Sequence, residues 1–398
     1  MPSVEDLTNA VFNKDMIPSH GIYFEPRSDR EYQRASRSIT PPIEERINTL
    51  RCFLDTVRDK IAKYKKIKKG SVNYEEIYHA CEKVTQSEQG HSPVSSDFTR
   101  RLATDLVTGQ TEPCLLDRSN GYYGESDIDH TAQHAIRLIK GVVSSELDDE
   151  NCNINGLKII QEIIQDNRFE DVNIVTLNHD RLVERFLEGD NSDNWSHEYE
   201  DGFSNQRGEA REYKPGQIFS TDKTTRIIKP HGSVDWFLAE KEFRKSQKPK
   251  EISYIKHANQ NNKRKYSLPG NGNEVYQIIG AGPFYLTGGE KEKQYADDIV
   301  GDMTYALNES LSNSEYILVS GFGWADRGMS RYLINSLRWD DNRKMVLMYE
   351  GNLSSAEDYP YLSGIYTGQR SDNISPSQIT VINEYMENVD INLLNKSI

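Results

Sequence analysis

The chain contains the run IIKPHGSVDW at residues Ile227–Trp236, a short apolar segment that stops at a histidine and a glycine. This pattern predicts a strand that ends in a turn. α/β proteins place their chemistry at such turns, at the carboxyl ends of parallel strands. His231 is suited to move a proton near neutral pH, and Gly232 lets another backbone or a ligand approach closely. The alternative is that His231 is a structural residue whose hydrogen bonds are satisfied within the fold.

Two further apolar runs end in polar turns, and the first spans residues 172–180, VNIVTLNHD. A nearly continuous apolar run indicates a strand that is buried on both faces, as in parallel sheets. Asn178 can orient a water or a carboxamide, and Asp180 can accept a proton or stabilise positive charge. The alternative for Asp180 is the N-cap of the helix that follows. His179 is expected to point elsewhere and receives no role.

The second run ends in Ser320-Gly321-Phe322-Gly323, with Asp326 behind it. Glycines between a parallel strand and a helix suit the close approach of a nucleotide phosphate or ribose. The motif is not GxGxxG, so a plain strand–helix turn is the alternative.

Strand and helix patterns alternate from Gly156 onward, which predicts an α/β fold with a Rossmann-like, doubly wound, mostly parallel sheet. Residues 41–150 show mostly helical periodicity and are predicted to form a helical insertion or subdomain. We assign residues 1–40 to the N-terminal part of the Rossmann-like domain and residues 151–398 to its core. The charged segment 241–269 contains few apolar residues and is interpreted as a surface excursion.

The composition narrows the class of protein. The 398 residues have a net charge of −14, from 48 basic and 62 acidic side chains, which argues against a protein that binds a nucleic-acid duplex. The four cysteines are widely separated and form no CxxC pair, so a cysteine zinc site is not expected. No apolar run approaches the ~20 residues that span a bilayer, and no signal-peptide pattern is present. We therefore expect a cytoplasmic protein.

Three segments in this order and spacing, TLNHD, KPHGSVDW and ILVSGFGWADRGMSRYLIN, resemble the sirtuin-like domains of bacterial anti-phage defence proteins. The segment NYEE at residues 73–76 is similar to the helix that these domains carry before the first motif. The resemblance covers residues 1–350. It implies a Rossmann-like domain that binds NAD as its substrate and cleaves the bond between nicotinamide and ribose without a metal.

The resemblance also implies roles for individual residues. His231 matches the family's catalytic histidine, and Asn178 and Asp180 match the polar pair around the nicotinamide and its ribose. The turn after the later strand would hold the adenosine half of NAD, and Glu350 would approach the adenine ribose. The positions expected to contact the cofactor are Thr176, Ser320, Gly321, Phe322, Gly323, Asp326 and Glu350.

By the same resemblance, the protein is an NAD hydrolase that depletes NAD during infection. A homo-oligomer and a separate ATPase or sensor protein are implied as partners, with no sequence-specific nucleic acid and no membrane. A non-catalytic regulator that binds NAD or another nucleotide is the alternative. An NAD-dependent protein deacylase is disfavoured, because deacylating sirtuins usually carry a four-cysteine zinc ribbon.

The chain departs from the family pattern at its start. The family opens with a strand and a Gly-Ala-Gly-x-Ser phosphate loop, whereas residues 1–7 resemble the segment that follows that loop. We therefore expect the chain to begin inside the domain. Without the loop, backbone donors for the pyrophosphate would be lacking, which favours the regulator.

Overall fold

The structure is a computed structural model. It describes residues 2–13, 43–88, 127–147, 152, 154–190, 194–204, 210–220, 223–243, 251–257, 265–267, 274–279, 282–287, 295–296, 298–324, 326–350 and 374–398. From residue 14 onward, the predicted segment 1–40 lies outside these ranges.

Four helices form one layer of the molecule. The first begins with a capping box: Ser3 Oγ accepts from the Asp6 amide (3.2 Å), and the Ser3 amide donates to Asp6 Oδ2 (2.8 Å). The apolar faces of the four helices enclose one cluster, in which Leu54, Ile77 and Leu138 are fully buried. The helices are α1 (Val4–Phe12), α2 (Ile43–Lys65), α3 (Tyr74–Glu88) and α4 (Asp127–Leu147).

The rest of the described chain alternates strands and shorter helices. The helices are α5 (Lys158–Gln165), α6 (Leu182–Glu188), α7 (Asp298–Asn313), α8 (Arg327–Trp339) and α9 (Ile391–Asn395). The strands are β1 (Val172–Val175), β2 (Ala210–Glu212), β3 (Thr225–Ile228), β4 (Trp236–Phe243), β5 (Glu251–His257), β6 (Lys265–Ser267), β7 (Glu274–Ile278), β8 (Tyr316–Ser320), β9 (Lys344–Met348) and β10 (Ile379–Ile382). Within the described ranges, every helix is too short or too polar to cross a membrane.

Five strands pair in parallel, in two groups. β1 lies beside β3, with Val172 opposite Thr225, and β9 lies between β8 and β10. The three apolar runs described above overlap β3, β1 and β8, so the predicted mixed α/β fold with parallel strands is confirmed.

Two helices pack against both groups of parallel strands. Ile160 of α5 packs in the same cluster as Ile174 of β1 and Ile227 of β3, whereas Ile159 packs with Val346 of β9. The helix α7 likewise packs against both β3 and β8. Among the described residues no backbone ladder joins β1 to β8, and their residues Val175 and Tyr316 are 38% and 37% exposed.

The interpretation of residues 241–269 as a surface excursion is wrong, because this segment contributes strands to a five-stranded antiparallel sheet. The order is β2-β5-β4-β7-β6, and the segment supplies the end of β4, all of β5 and β6. Its polar composition was misleading because the interior of β5 contains Lys256 beside Ile255, both buried. A buried lysine that is paired with carboxylates contributes to an interior without an apolar signal.

The turn after β3 depends on a glycine. Gly232 has φ +77° and forms an antiparallel bridge with Tyr285. A Cβ atom at this position would lie 2.5 Å from the Phe284 carbonyl oxygen. Both the left-handed backbone and the close approach therefore require a residue without a side chain.

We expect Gly232→Ala to lower the free energy of unfolding by about 2–4 kcal/mol, because it adds backbone strain and a steric clash with backbone. Gly216→Ala is the matched control, since Gly216 has φ +83° but open space around its Cα. The control should cost only about 1–2 kcal/mol, the strain of the left-handed backbone alone. Urea denaturation of both variants measures the difference, and equal losses would show that the contact with Phe284 is unimportant.

Candidate functional site

The turns that follow β1 and β3 are bonded to each other. The parallel ladder continues past the strands, because the Thr176 amide donates to the Ile228 carbonyl (3.0 Å). The His179 carbonyl then accepts from the Val234 amide (2.9 Å) and from Ser233 Oγ (3.2 Å). These bonds fix the position of residues 178–180 relative to the turn that contains His231.

His231 meets a carboxylate from the other group of parallel strands. Its side chain is buried, and Nε2 lies 3.1 Å from Asp326 Oδ2 and 3.0 Å from the Tyr295 hydroxyl. The Tyr295 hydroxyl donates to the same Asp326 oxygen (2.8 Å). The three side chains therefore form a closed triangle between the end of β3 and the start of α8.

Asp326 is held as an anion in this triangle. It is the N-cap of α8, where Oδ1 accepts from the Met329 amide (2.9 Å). Burial alone would raise the pKa of Asp326, but hydrogen bonds from His231, the Met329 amide and Tyr295 together lower it to about 2. A permanent carboxylate favours the proton on Nε2 of His231, and Nδ1 makes no hydrogen bond to a described residue.

His179 packs against the catalytic candidate, contrary to the expectation that it points elsewhere. Its ring lies 4.6 Å from that of Tyr285 and 6.2 Å from that of His231, measured between centroids. Tyr285 itself lies under Lys140 of the helical layer, whose Nζ is 5.3 Å from the ring centroid. His179 therefore forms part of the wall beside His231.

Asp180 is a buried carboxylate with one unsatisfied oxygen. It is 5% exposed, and Oδ1 accepts from the Leu182 amide at the start of α6 (2.9 Å). The capping role is thus present, although the formal N-cap is Arg181. Oδ2 has no hydrogen-bond partner among the described residues, and burial raises the pKa of Asp180.

The other positions predicted in the first turn are more open. Asn178 is exposed, and its amide donates to Thr176 Oγ1 (3.1 Å), so both residues belong to the same turn. Thr176 is half-buried. The structure therefore places the two predicted polar residues Asn178 and Asp180 differently, one facing solvent and one facing the interior.

The turn after β8 lies at the same end of the parallel strands as Asp326. Ser320, Gly321 and Gly323 are exposed, and Gly321 has φ +63°. Phe322 is half-buried against Trp324, with ring centroids 5.0 Å apart. No described atom lies within 4 Å of a Cβ placed at Gly321 or Gly323, so these glycines leave space open rather than admit protein backbone.

Glu350 is separated from the other predicted positions. It is exposed, and its side chain hydrogen-bonds to Tyr385, which raises the pKa of that tyrosine. Its described contacts include neither His231 nor Asp326. The structure thus brings together the turns that contain Asp180, His231 and Asp326, whereas Glu350 lies with the strands at the far side of β9.

Sequence reasoning missed the charged residues beneath these turns, beginning with Lys229. Lys229 is buried. Its Nζ donates hydrogen bonds to Ser233 Oγ (2.9 Å) and to the Asp180 carbonyl, and it forms an ion pair with Glu184 Oε1 at 3.1 Å. The signal was visible in the sequence, since a lysine stands directly after the two isoleucines of β3. A cation at the end of a buried strand requires a buried carboxylate partner.

Lys256 extends the ion network into the antiparallel sheet. Its Nζ lies 3.3 Å from Glu184 Oε1, 2.9 Å from Asp201 Oδ2 and 3.8 Å from Asp235 Oδ2. Burial alone would raise the pKa of Glu184, but the attraction of Lys229 and Lys256 lowers it to about 2.

Two arginines close the network at its ends. Arg211 contacts both carboxylate oxygens of Asp201 (3.0 and 2.6 Å), and Arg181 Nε forms an ion pair with Asp235 Oδ2 (3.1 Å). Arg181 and Asp235 belong to the turns after β1 and β3. The buried charges therefore connect both turns to each other and to β5.

Tyr295 is a further residue of the site that the sequence did not indicate. It lies 64 residues from His231 and 31 from Asp326 along the chain, in a polar segment without a recognisable pattern.

Among the described residues, no group of three or more His, Cys, Asp or Glu side chains is arranged to hold a metal ion.

Comparison of the sequence with family models and with curated proteins found no match. No protein-family model matches the chain, and no curated protein matches its sequence at a significant level.

We expect Glu184→Gln to destabilise the protein by about 3 kcal/mol at pH 7, because it removes the carboxylate partner of the buried Lys229 and one of the carboxylates that pair with Lys256. The pKa of Glu184 is lower in the folded protein than in the unfolded chain, where it is about 4.3. The Glu184 carboxylate therefore contributes its full stabilisation above about pH 4.3, and this stabilisation is lost as the pH falls through about 2. Urea denaturation should therefore show the difference from the parent protein narrowing below about pH 4. A constant difference down to pH 2 would contradict the assigned ionisation.

Asp180→Asn should have the opposite effect and stabilise the protein at pH 8. The pKa of Asp180 is raised, so its ionised form costs free energy in the fold at high pH, and this cost disappears as the pH falls to the unfolded-state value of about 3.9. The gain should therefore vanish near pH 4. Asp180 and Glu184 lie one helical turn apart, so each variant is the matched control of the other.

Proposed function

We propose that the protein is a sirtuin-like NAD hydrolase that releases nicotinamide from NAD. The single observation that supports it best is the contact between His231 and Asp326 at the carboxyl ends of parallel strands, with the Asn178–Asp180 turn bonded beside it. Open parallel sheets bind ligands in the crevice outside these strand ends. The family resemblance supplies NAD as the ligand for such a crevice.

The proposed fold is a doubly wound sheet in which β3-β1 and β8-β9-β10 lie side by side. The shared packing of α5 and α7 against both groups supports this arrangement. The open turn at Ser320–Gly323 would then receive the adenosine half of NAD, with Thr176 and Phe322 around it and Glu350 towards the adenine ribose.

The reaction divides into bond cleavage and water attack. The bond between ribose C1′ and the nicotinamide nitrogen breaks, its electron pair leaves with nicotinamide, and positive charge grows on the ribose. Nicotinamide is a good leaving group because its ring nitrogen is cationic in NAD. The Asp180 carboxylate and the Asn178 amide dipole would stabilise the developing cation.

His231 is the proposed general base. With the Nε2 proton directed at Asp326, the lone pair on Nδ1 would accept the proton of the water that bonds to C1′. Asp326 and Tyr295 act through His231, by fixing its tautomer and ring orientation, and are positioning residues in this scheme.

A non-catalytic NAD-binding regulator is the second candidate. The observation that favours it is that Nε2 of His231 is already satisfied by Asp326 and Tyr295, as in a structural histidine. The setting in anti-phage defence, the oligomer and a separate ATPase or sensor follow from the resemblance alone.

Nicotinamide release from NAD by the purified chain tests the proposal. We expect release to fall at least ~100-fold in His231→Ala and Asn178→Ala, because general-base catalysis and charge stabilisation are each worth that much. Asp326→Asn should lower kcat by roughly 10- to 100-fold while KM stays similar, because it removes the orienting charge and not a substrate contact. His197→Ala is the matched control, since His197 bonds to Thr225 outside the triangle.

The outcome separates the candidates. Release that depends on His231 but not on His197 supports the hydrolase. Measured binding of NAD without release in any variant supports the regulator, and neither binding nor release contradicts both.

A further inference from the structure

A cavity of about 530 Å³ is lined in part by Tyr295, the residue whose hydroxyl is bonded to His231. It is formed between β5, the residues after β2 and the beginning of α7. Tyr213, Tyr254 and Tyr295 line it, together with the acidic residues Asp298 and Asp302. A cavity of this volume holds a small organic ligand.

The acidic side chains are fixed by the tyrosines. The Tyr213 hydroxyl donates to Asp302 Oδ2 (2.5 Å), and the Tyr254 hydroxyl lies 3.4 Å from Asp298 Oδ2. Burial and the bond to Asp302 raise the pKa of Tyr213, so its hydroxyl keeps its proton and serves as a donor. The two carboxylates lie one helical turn apart on α7 and face the same cavity.

The sign of the local charge decides the class of ligand. The first turn of a helix attracts anions with the equivalent of about half a positive charge. Asp298 and Asp302 oppose it with two carboxylates, and the described lining residues include no lysine or arginine. The cavity is therefore negative overall, with aromatic rings that also attract cations.

We propose that this cavity binds an organic cation of the alkylammonium class, between the tyrosine rings and the carboxylates of Asp298 and Asp302. Ile252, which is 68% exposed, lies at its rim and adds apolar surface for the alkyl groups. The proposal is independent of the reaction proposed for His231. The two sites share only Tyr295, whose hydroxyl is bonded to His231 and Asp326.

Calorimetric titration with choline chloride tests the proposal, with 3,3-dimethylbutan-1-ol as the uncharged probe of the same shape. Choline should bind, and the alcohol should bind at least tenfold more weakly. Sodium chloride at the same concentration controls for ionic strength, and inorganic phosphate is titrated separately as the anion probe.

Variants locate the binding to this cavity. Asp298→Asn with Asp302→Asn should weaken choline binding at least tenfold. Asp55→Asn with Asp59→Asn is the matched control, because these carboxylates have the same spacing on α2 and contact Lys69 instead. Tyr254→Phe should retain binding and Tyr254→Ala should lose it, with circular dichroism to verify that each variant is folded.

Three results would overturn the proposal. Equal binding of choline and the alcohol would indicate an apolar cavity, and binding of phosphate in place of choline would indicate that the helix terminus dominates. Absence of choline binding at millimolar concentration in the folded protein would exclude the cation site.

Discussion

The arrangement of the strand ends depends on the contacts of the buried Lys229 ammonium group. It lies in the interior directly after β3, and it is stabilised there by Glu184 of α6, by Ser233 and by the carbonyl of Asp180. A buried cation without such partners would be strongly destabilising. Since its partners come from both turns, the fold cannot separate them without exposing or isolating the charge.

This constraint explains why the neighbouring features are rigid. Glu184 is shared between Lys229 and Lys256, so the antiparallel sheet is tied to the parallel strands by charge rather than by apolar packing alone. Gly232 then passes against the backbone of Phe284 with no room for a side chain. Between these two restraints His231 has little freedom, which leaves Asp326 and Tyr295 to fix its ring.

The sequence predicted those parts of the fold that have an apolar signal. The parallel strands, the helices that follow them and the turns with Asp180 and His231 were all visible as runs with polar ends. The antiparallel sheet was missed because Lys256 occupies an interior position that apolar periodicity cannot identify. Tyr295 was missed because its role depends on a tertiary contact, and the bond between Asp326 and His231 was missed for the same reason.

The two carboxylates near His231 differ in a way that bears on chemistry. Asp326 is surrounded by donors that lower its pKa to about 2, whereas burial raises the pKa of Asp180 and one of its oxygens is left without a partner. Sites that move protons or stabilise charge often hold two acids whose surroundings push their pKa values apart. Asp201 differs from both, because Arg211 and Lys256 pair with its two carboxylate oxygens. The different surroundings of Asp180 and Asp326 therefore add to the contact between His231 and Asp326 as a reason to regard these turns as more than a structural junction.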